Sequence, residues 1–173
     1  MRELADAERI RRFLRRLGAQ AETEGAAYLT GGATAVLLGW RATTIDVDLK
    51  LVPESDRLLR AIPGLKDDLR INVELVSPLD FVPVPGGWED RSVFATREGL
   101  LSVYHFDPYA QVLAKLERAH EQDLEDVRSL VSYGLVDPAR ALEYFEAIGS
   151  ELYRYPAVDP ASFRRRVVAA IGG

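Results

Sequence analysis

Two aspartates separated by one residue, Asp46 and Asp48, are the side chains whose type and spacing point most directly to chemistry. They lie in a segment, residues 43–52, in which polar and apolar residues alternate, and this alternation predicts a β-strand. Side chains two positions apart in a strand share a face, so the two carboxylates lie side by side. Because like charges repel, such a pair is typical of a Mg²⁺ or Mn²⁺ site. The alternative is two surface acids on a solvent-facing strand.

A pair of glycines upstream, Gly31 and Gly32, separates a short predicted strand at residues 26–30 from a short predicted helix at residues 33–38. Paired glycines permit a tight turn and a close approach of the backbone to a ligand, and the first amides of a helix can bind phosphate. Thr34 adds a hydroxyl in the first helical turn. The segment is therefore a candidate phosphate-binding turn, and its simpler interpretation is an ordinary turn.

A third acid, Glu74, belongs to a second alternating segment, residues 69–76. If this predicted strand lies beside the first, Glu74 joins Asp46 and Asp48 in one cleft. Three acids that face one cleft resemble a site for metal-dependent phosphoryl or nucleotidyl transfer. Asp80 is the fallback for the third acid, and the alternative for Glu74 is a surface position.

The order of these residues resembles the signature of the DNA polymerase β-like nucleotidyltransferase superfamily. There, a Gly-Gly or Gly-Ser turn at a helix start is followed by a strand with Asp-x-Asp, and a third acid comes from a later strand. Here 13 residues separate Gly31-Gly32 from Asp46-Val47-Asp48. The third acid of the family is usually Asp, whereas the best candidate in this sequence is Glu74.

The segment at residues 41–46, with Arg41 and Thr44, resembles the corresponding segment in a small prokaryotic subgroup of that superfamily. This subgroup contains the abortive-infection and toxin–antitoxin (AbiEii-like) nucleotidyltransferases. The strand-level resemblance covers residues 26–80, and the helical region extends it to about residue 131.

The resemblance implies an α/β (α+β) nucleotidyltransferase fold, with a small mixed sheet, flanking helices and a helical C-terminal section. It implies an enzyme that transfers a nucleoside monophosphate from an NTP to an acceptor hydroxyl, with Mg²⁺ or Mn²⁺ as cofactor. By the same resemblance, the catalytic and metal-binding residues are Asp46, Asp48 and Glu74. The residues that contact the nucleotide and its phosphates in this region would be Gly31, Gly32, Thr34, Arg41 and Thr44.

The acceptor is open at this point, and a tRNA end, a protein and a small molecule are the candidates. A cognate antitoxin or toxin protein is a further partner that the subgroup implies. The rival interpretation is a non-catalytic nucleotide-binding or toxin–antitoxin interaction module on the same fold, and the imperfect third acid favours it.

The helix predicted at residues 108–133 carries a second polar group. At about 100° per residue, Lys115, Arg118 and Asp126 fall within one narrow stripe, whereas Asp123 falls near the edge of the apolar arc, an unusual place for an unpaired charge. By analogy with the subgroup, Lys115 and Arg118 would contact the triphosphate, and Asp123 or Asp126 would orient the lysine. The alternative is a solvated helix face with ordinary ion pairs.

The rest of the sequence predicts the helices and strands that surround these residues. Apolar spacing and capping residues predict further helices at residues 5–20, 54–62, 138–152 and 160–171. Pro63 and Gly64 are expected to end the helix at residues 54–62. A hairpin is predicted from residues 92–96 and 100–106, after a proline-rich loop. We expect a nucleotidyltransferase core at residues 1–107 and a helical section at residues 108–173, packed together as one domain.

Four arginines, Arg11, Arg12, Arg15 and Arg16, lie between the apolar positions of the first helix. We interpret them as a solvated helix face, and the alternative is a patch that faces nucleic acid. The two histidines, His105 and His120, have no triad-like setting and are expected to be structural.

The composition fits chemistry that rests on carboxylates. The chain has 173 residues, of which 47% are hydrophobic, and it contains no cysteine and two histidines. These values exclude wholesale disorder, disulfide bonds and thiolate sites. The 22 basic and 27 acidic residues give a net charge of −5, which disfavours non-specific nucleic-acid binding. No apolar run approaches the roughly 20 residues of a membrane-spanning helix, so we expect no membrane partner. The acids in the N-terminal segment do not fit a secretory signal, and the lack of cysteine agrees with the cytoplasm, so we expect a cytoplasmic protein.

Overall fold

A five-stranded mixed sheet forms the centre of the first of two units in the computed structural model, which describes residues 2–172. The first unit contains the residues up to Ser77 together with Val93–His105, and the second contains Pro78–Ser92 together with the residues from Phe106 onward. The small mixed sheet with helices beside it confirms the predicted α+β fold class. The predicted division into residues 1–107 and 108–173 stays a prediction.

The strands all lie in the first unit. They are β1 Ala5–Asp6, β2 Gly25–Thr30, β3 Thr43–Thr44, β4 Asp46–Val52, β5 Asn72–Glu74, β6 Val93–Glu98 and β7 Leu101–His105. The large sheet has the order β5-β4-β2-β7-β6. The pairs β4–β5 and β2–β7 are parallel, and the pairs β2–β4 and β6–β7 are antiparallel. The hairpin β6–β7 confirms its prediction, and β1 pairs with β3 in a separate two-stranded ribbon.

Three helices accompany the strands of the first unit: α1 Ala7–Ala19, α2 Gly32–Leu38 and α3 Asp56–Leu69. The second unit is helical, with α4 Trp88–Arg91, α5 Pro108–Arg118, α6 Glu121–Ser132, α7 Pro138–Ile148, α8 Pro160–Ile171 and 3₁₀ turns at Pro78–Asp80 and Gly149–Arg154. None of the helices in residues 2–172 has the length and apolar character that crossing a membrane requires.

The alternation in β4 divides its side chains between two environments. Val47, Leu49 and Leu51 are buried and belong to one hydrophobic core together with the apolar faces of α1, α2 and α3. Asp46 and Asp48 are half-buried on the opposite face. This arrangement follows from the side-chain period of two, and it leaves the polar face of the sheet for the carboxylates.

The predicted end of the third helix at Pro63 and Gly64 is wrong, because α3 continues through both residues to Leu69. Apolar residues at helical spacing on either side of the proline, among them Ile62 and Leu65, are buried in the core. Their burial favours a continuous helix even though proline lacks an N–H donor. As a consequence the following strand begins later than predicted, and β5 contains three residues, Asn72–Glu74.

The single helix predicted at residues 108–133 is also wrong, since the chain turns between α5 and α6. Ala119 adopts a left-handed backbone conformation, with φ 55°, and ends α5. The Asp123 carboxylate accepts a hydrogen bond from the His120 backbone N–H at 3.1 Å, which caps the start of α6. Because of this turn, the polar residues of α5 and α6 do not form the single stripe that is expected of one helix. Lys115 and Asp126, which were expected on that stripe, are buried.

Candidate active site

The acids of β4 and β5 are brought together by the register of the two parallel strands. Asp46 lies opposite Asn72, and Asp48 lies opposite Glu74. The Asn72 Nδ2 atom donates to Asp46 Oδ1 at 2.5 Å and to Glu74 Oε1 at 3.3 Å. Glu74 is exposed, whereas Asp46, Asp48 and Asn72 are half-buried. The fallback acid Asp80 belongs to the second unit, in the 3₁₀ turn after β5.

The glycine turn lies directly beside this acidic row. Thr30, the last residue of β2, is paired with Asp48, and the chain then turns at Gly31 into α2. Gly31 has φ 63° and ψ −130°, a conformation that favours glycine. A Cβ atom at position 31 would lie 3.5 Å from Asp48 Oδ2. The backbone of the turn is therefore adjacent to the carboxylate of the second aspartate.

Gly32 brings two further predicted residues to the start of α2. A Cβ atom at position 32 would lie 1.9 Å from Thr44 Oγ1 and 3.0 Å from Arg41 Nη1, so the absence of a side chain here permits their approach. The Thr44 hydroxyl also donates to the Asp46 carbonyl oxygen at 3.1 Å. The structure thus places Gly32, Arg41 and Thr44 together at the edge of the acidic row.

Thr34 is placed differently from the expectation of a phosphate ligand. It is 2% exposed, and its hydroxyl donates to the Leu29 carbonyl oxygen at 3.4 Å and contacts His105 Nδ1 at 3.0 Å. Burial lowers the pKa of His105 to about 4, so its ring is neutral near pH 7. Because it is buried, the Thr34 side chain ties α2 to β2 and β7 and offers little surface to a ligand.

The acids fit a metal that is shared with a substrate. Across residues 2–172, no group of three or more His, Cys, Asp and Glu side chains is close enough to hold a metal ion. Mg²⁺ is commonly bound by one or two carboxylates together with waters and substrate phosphates. Asp46 and Asp48, which share a face of β4, fit this mode of binding, and the exposed Glu74 does not complete a cage around them.

The comparison with family models decides the family. The model described as "Nucleotidyltransferase of unknown function (DUF6036)" matches residues 8–151, which include the acidic row and the glycine turn. This chain belongs to that nucleotidyltransferase family. No curated protein and no solved structure matches it in the other two comparisons.

The second polar group of this nucleotidyltransferase is a buried ion-pair cluster that joins α5 to α6. Lys115 Nζ lies 2.7 Å from Asp126 Oδ2 and 3.9 Å from Asp123 Oδ1. Arg118 donates two hydrogen bonds to Asp123, at 2.8 and 2.6 Å. Burial alone would raise the pKa of Asp123, but the hydrogen bonds and charge of Arg118 and the charge of Lys115 outweigh burial and lower the pKa. Lys115, Asp123 and Asp126 are buried, whereas the Arg118 side chain is 56% exposed.

Asn72 contacts two of the acids, and the sequence did not identify it as a residue of the site. Its place on the same strand face as Glu74 was visible from the alternation of the segment. An uncharged amide between acids has no signature of its own, so its role is seen only once β5 is paired with β4. The pairing places the amide between the carboxylates of Asp46 and Glu74.

Proposed function

We propose that this nucleotidyltransferase transfers a nucleoside monophosphate from an NTP to an acceptor hydroxyl and releases pyrophosphate. The main support is the placement of Asp46 and Asp48 on one strand face, with Asp48 3.5 Å from the position of a Cβ atom on Gly31. Oxygen ligands for a cation, and a turn whose backbone a ligand can approach closely, are the two features that a triphosphate substrate requires. Membership of the family supports the same class of reaction.

In this proposal Asp46 and Asp48 hold Mg²⁺ or Mn²⁺ together with the phosphates of the NTP. The metal would neutralise charge on the triphosphate and polarise the phosphate that is attacked. The acceptor oxygen forms a bond to the α-phosphorus, the bond between that phosphorus and the bridging oxygen of the β-phosphate breaks, and pyrophosphate leaves. Glu74, which is exposed, accepts the proton of the acceptor hydroxyl.

The other residues orient these groups. Asn72 holds one oxygen of Asp46 through its amide, which fixes the direction of the carboxylate. The backbone of Gly31 and Gly32 receives the phosphates, with the Arg41 guanidinium beside Gly32 as a positive charge. The contact of Lys115 and Arg118 with the triphosphate, oriented by Asp123 or Asp126, stays a prediction.

We propose further that the protein belongs with the AbiEii-like nucleotidyltransferases, on the support of Arg41 and Thr44 beside the glycine turn. A tRNA end, a protein side chain and a small molecule are the candidate acceptors, and a cognate toxin or antitoxin is the candidate protein partner. The second candidate function is a nucleotide-binding or toxin–antitoxin interaction module without catalysis. The lack of a three-acid metal group among the described residues favours it.

Label transfer from α-³²P-NTPs tests the proposal. The protein is incubated with Mg²⁺, each NTP in turn, and total RNA, total protein or a panel of small alcohols. The variant is Asp46→Asn/Asp48→Asn, and the matched control is Asp67→Asn/Asp68→Asn, which removes two exposed acids from α3.

We expect label transfer by the wild-type protein and the control, and a loss of about a hundredfold or more in the site variant. Transfer that survives in Asp46→Asn/Asp48→Asn would refute the site. Binding of NTP by the wild-type protein, abolished in the site variant and without transfer to any acceptor, would support the non-catalytic module instead.

A further inference from the structure

The first unit contains a cavity whose lining includes none of the acids of β4 and β5. It is a cavity of about 350 Å³, formed by α1, α2, β6 and the last residue of β7. This volume lies within the range of pockets that bind small molecules, about 300–1,000 Å³. The cavity therefore has room for a small organic ligand.

Two arginines of α1, Arg11 and Arg15, line the cavity one helical turn apart. Both are exposed, and neither has a hydrogen bond or ion pair with any residue in the part of the chain that the structure describes. Their neighbours on the same helix are paired, Arg12 with Glu8 at 3.5 Å and Arg16 with Asp68 at 2.8 Å.

Like charges one turn apart destabilise a helix, and an anion between Arg11 and Arg15 would remove this repulsion. Two guanidinium groups at this spacing suit a phosphate, since each can donate two parallel hydrogen bonds. The basic helix face of the sequence is thus divided between paired arginines outside the cavity and unpaired arginines that line it.

The rest of the lining offers apolar surface and hydrogen-bond acceptors. Leu37, Leu38 and Phe94 are the more exposed of its apolar residues. His105 is 3% exposed, and its Nδ1 atom contacts the hydroxyl of Thr34. Because that hydroxyl donates to a carbonyl oxygen, the His105 tautomer that suits it has the proton on Nδ1 and leaves Nε2 as an acceptor. The half-buried Glu98 carboxylate is a second acceptor in the lining.

We propose that this cavity binds a small organic phosphate monoester of nucleoside monophosphate size. Arg11 and Arg15 would hold the phosphate, the leucines would contact its organic part, and His105 and Glu98 would accept hydrogen bonds from its N–H or O–H groups. The proposal is independent of the proposed transferase reaction, because none of these residues belongs to the acidic row.

Binding of AMP and UMP to the full chain tests this proposal, with inorganic phosphate, adenosine and uridine as partial probes. Affinity is measured by calorimetry without added divalent metal, and the site is located from ¹H–¹⁵N chemical-shift changes. The variant is Arg11→Gln/Arg15→Gln, and the matched control is Arg12→Gln/Arg16→Gln on the same helix. Thermal unfolding of both variants checks that the fold is retained.

We expect both monophosphates to bind more tightly than any partial probe and to shift the amides of α1, β6 and His105. The affinity should fall roughly tenfold to a hundredfold in Arg11→Gln/Arg15→Gln and remain unchanged in the control. Equal affinity in all proteins, shifts confined to β4 and β5, or no binding of either monophosphate would overturn the proposal. So would binding of a single-stranded RNA oligonucleotide that depends on Arg11 and Arg15 while AMP and UMP do not bind.

Discussion

At the scale of single residues, the amide of Asn72 shows how a neutral side chain organises charged ones. It donates to Asp46 and Glu74, which therefore lie on either side of one donor group. A carboxylate that ligates a metal needs such an outer partner to keep its orientation. Strand alternation in the sequence places the side chains of Asp46, Asp48 and Glu74 on the polar face of their strands. The position of the Asn72 amide between two of these acids depends on the pairing of β5 with β4.

We expect Asn72→Ala to lower the rate of nucleotidyl transfer by roughly tenfold to a hundredfold, because Asp46 loses the donor that orients it. The concentration of Mg²⁺ needed for half-maximal rate should rise, and a titration of the rate with Mg²⁺ measures this. Gln122→Ala, which removes an exposed amide from α6, is the control. A normal Mg²⁺ requirement in Asn72→Ala would contradict the positioning role.

Two glycines should respond in opposite directions to the same substitution. In Gly32→Ala the new methyl group meets Thr44 Oγ1, so we expect the free energy of unfolding to fall by about 1–3 kcal/mol. Gly64 lies within α3, and a Cβ atom there meets nothing within 4 Å. Gly64→Ala should therefore raise the free energy of unfolding by about 0.5–1 kcal/mol.

Urea titration of the two glycine variants gives both values. A Gly32→Ala variant as stable as the wild-type protein would mean that Thr44 and Arg41 are not held against the turn.

At the scale of elements, the alternation within β4 and the bounds of α8 could be predicted from the sequence, whereas the ends of α3 and α5 could not. The alternation of β4 and the apolar spacing of α1 depend on local periods, and both patterns agree with the structure. The continuation of α3 through Pro63 and the turn at Ala119 depend on burial and on side-chain pairing with other elements. The apolar residues on either side of Pro63 do keep a helical period, but the proline favours a helix end in an interpretation of the sequence alone. The pairing of Lys115 with Asp126 leaves no period in the sequence.

The pairing of α5 with α6 predicts a large effect for Lys115→Met. Removal of the ammonium leaves Asp126 buried without its charge partner, so the free energy of unfolding should fall by about 3–5 kcal/mol. The double variant Lys115→Met/Asp126→Leu should recover most of this loss, because no buried charge is left unpaired at these two positions.

Urea titrations of the single and double variants test the pair, and a single variant within 1 kcal/mol of wild type would count against it. The double variant also separates two roles of the lysine. Full activity in the stable double variant would show that Lys115 does not contact the triphosphate, and a loss of activity with intact stability would support the contact.

At the scale of the whole molecule, the two units show where sequence reasoning reaches its limit. The sequence predicts a proline-rich loop at residues 77–90, and the structure includes Pro78–Ser92 in the second unit. Arg91 lies 2.8 Å from the buried Asp107 carboxylate, and Trp88 stacks on Phe106 with ring centroids 4.4 Å apart. These contacts join segments that have no shared pattern, so they could not be read from composition or periodicity.

The stability of the molecule should depend on pH through His105. Burial lowers its pKa from the ordinary value near 6.5 to about 4, so between these values the unfolded chain binds more protons than the folded one. The stabilising effect of the neutral ring is complete above pH 6.5 and is lost as the pH falls towards 4. At pH 5 the loss is about 2 kcal/mol.

Urea titrations at pH 7 and pH 5 measure this effect. The decrease between the two pH values should be about 2 kcal/mol smaller in His105→Gln than in the wild-type protein. Gln122→Ala, which removes an exposed side chain that does not titrate, should match the wild-type decrease. An equal decrease in all three proteins would show that His105 does not titrate as its burial requires.

The close approach of Thr44 and Arg41 to Gly32 limits how the number of residues between the glycine pair and Asp46 can change. The 13 residues between the glycine pair and Asp46 contain most of α2, the turn at Gly39 and β3. An inserted residue in that stretch would displace Thr44 from the glycine and shift the aspartates away from the turn. The length of this interval therefore fixes the position of the glycine turn relative to the two aspartates.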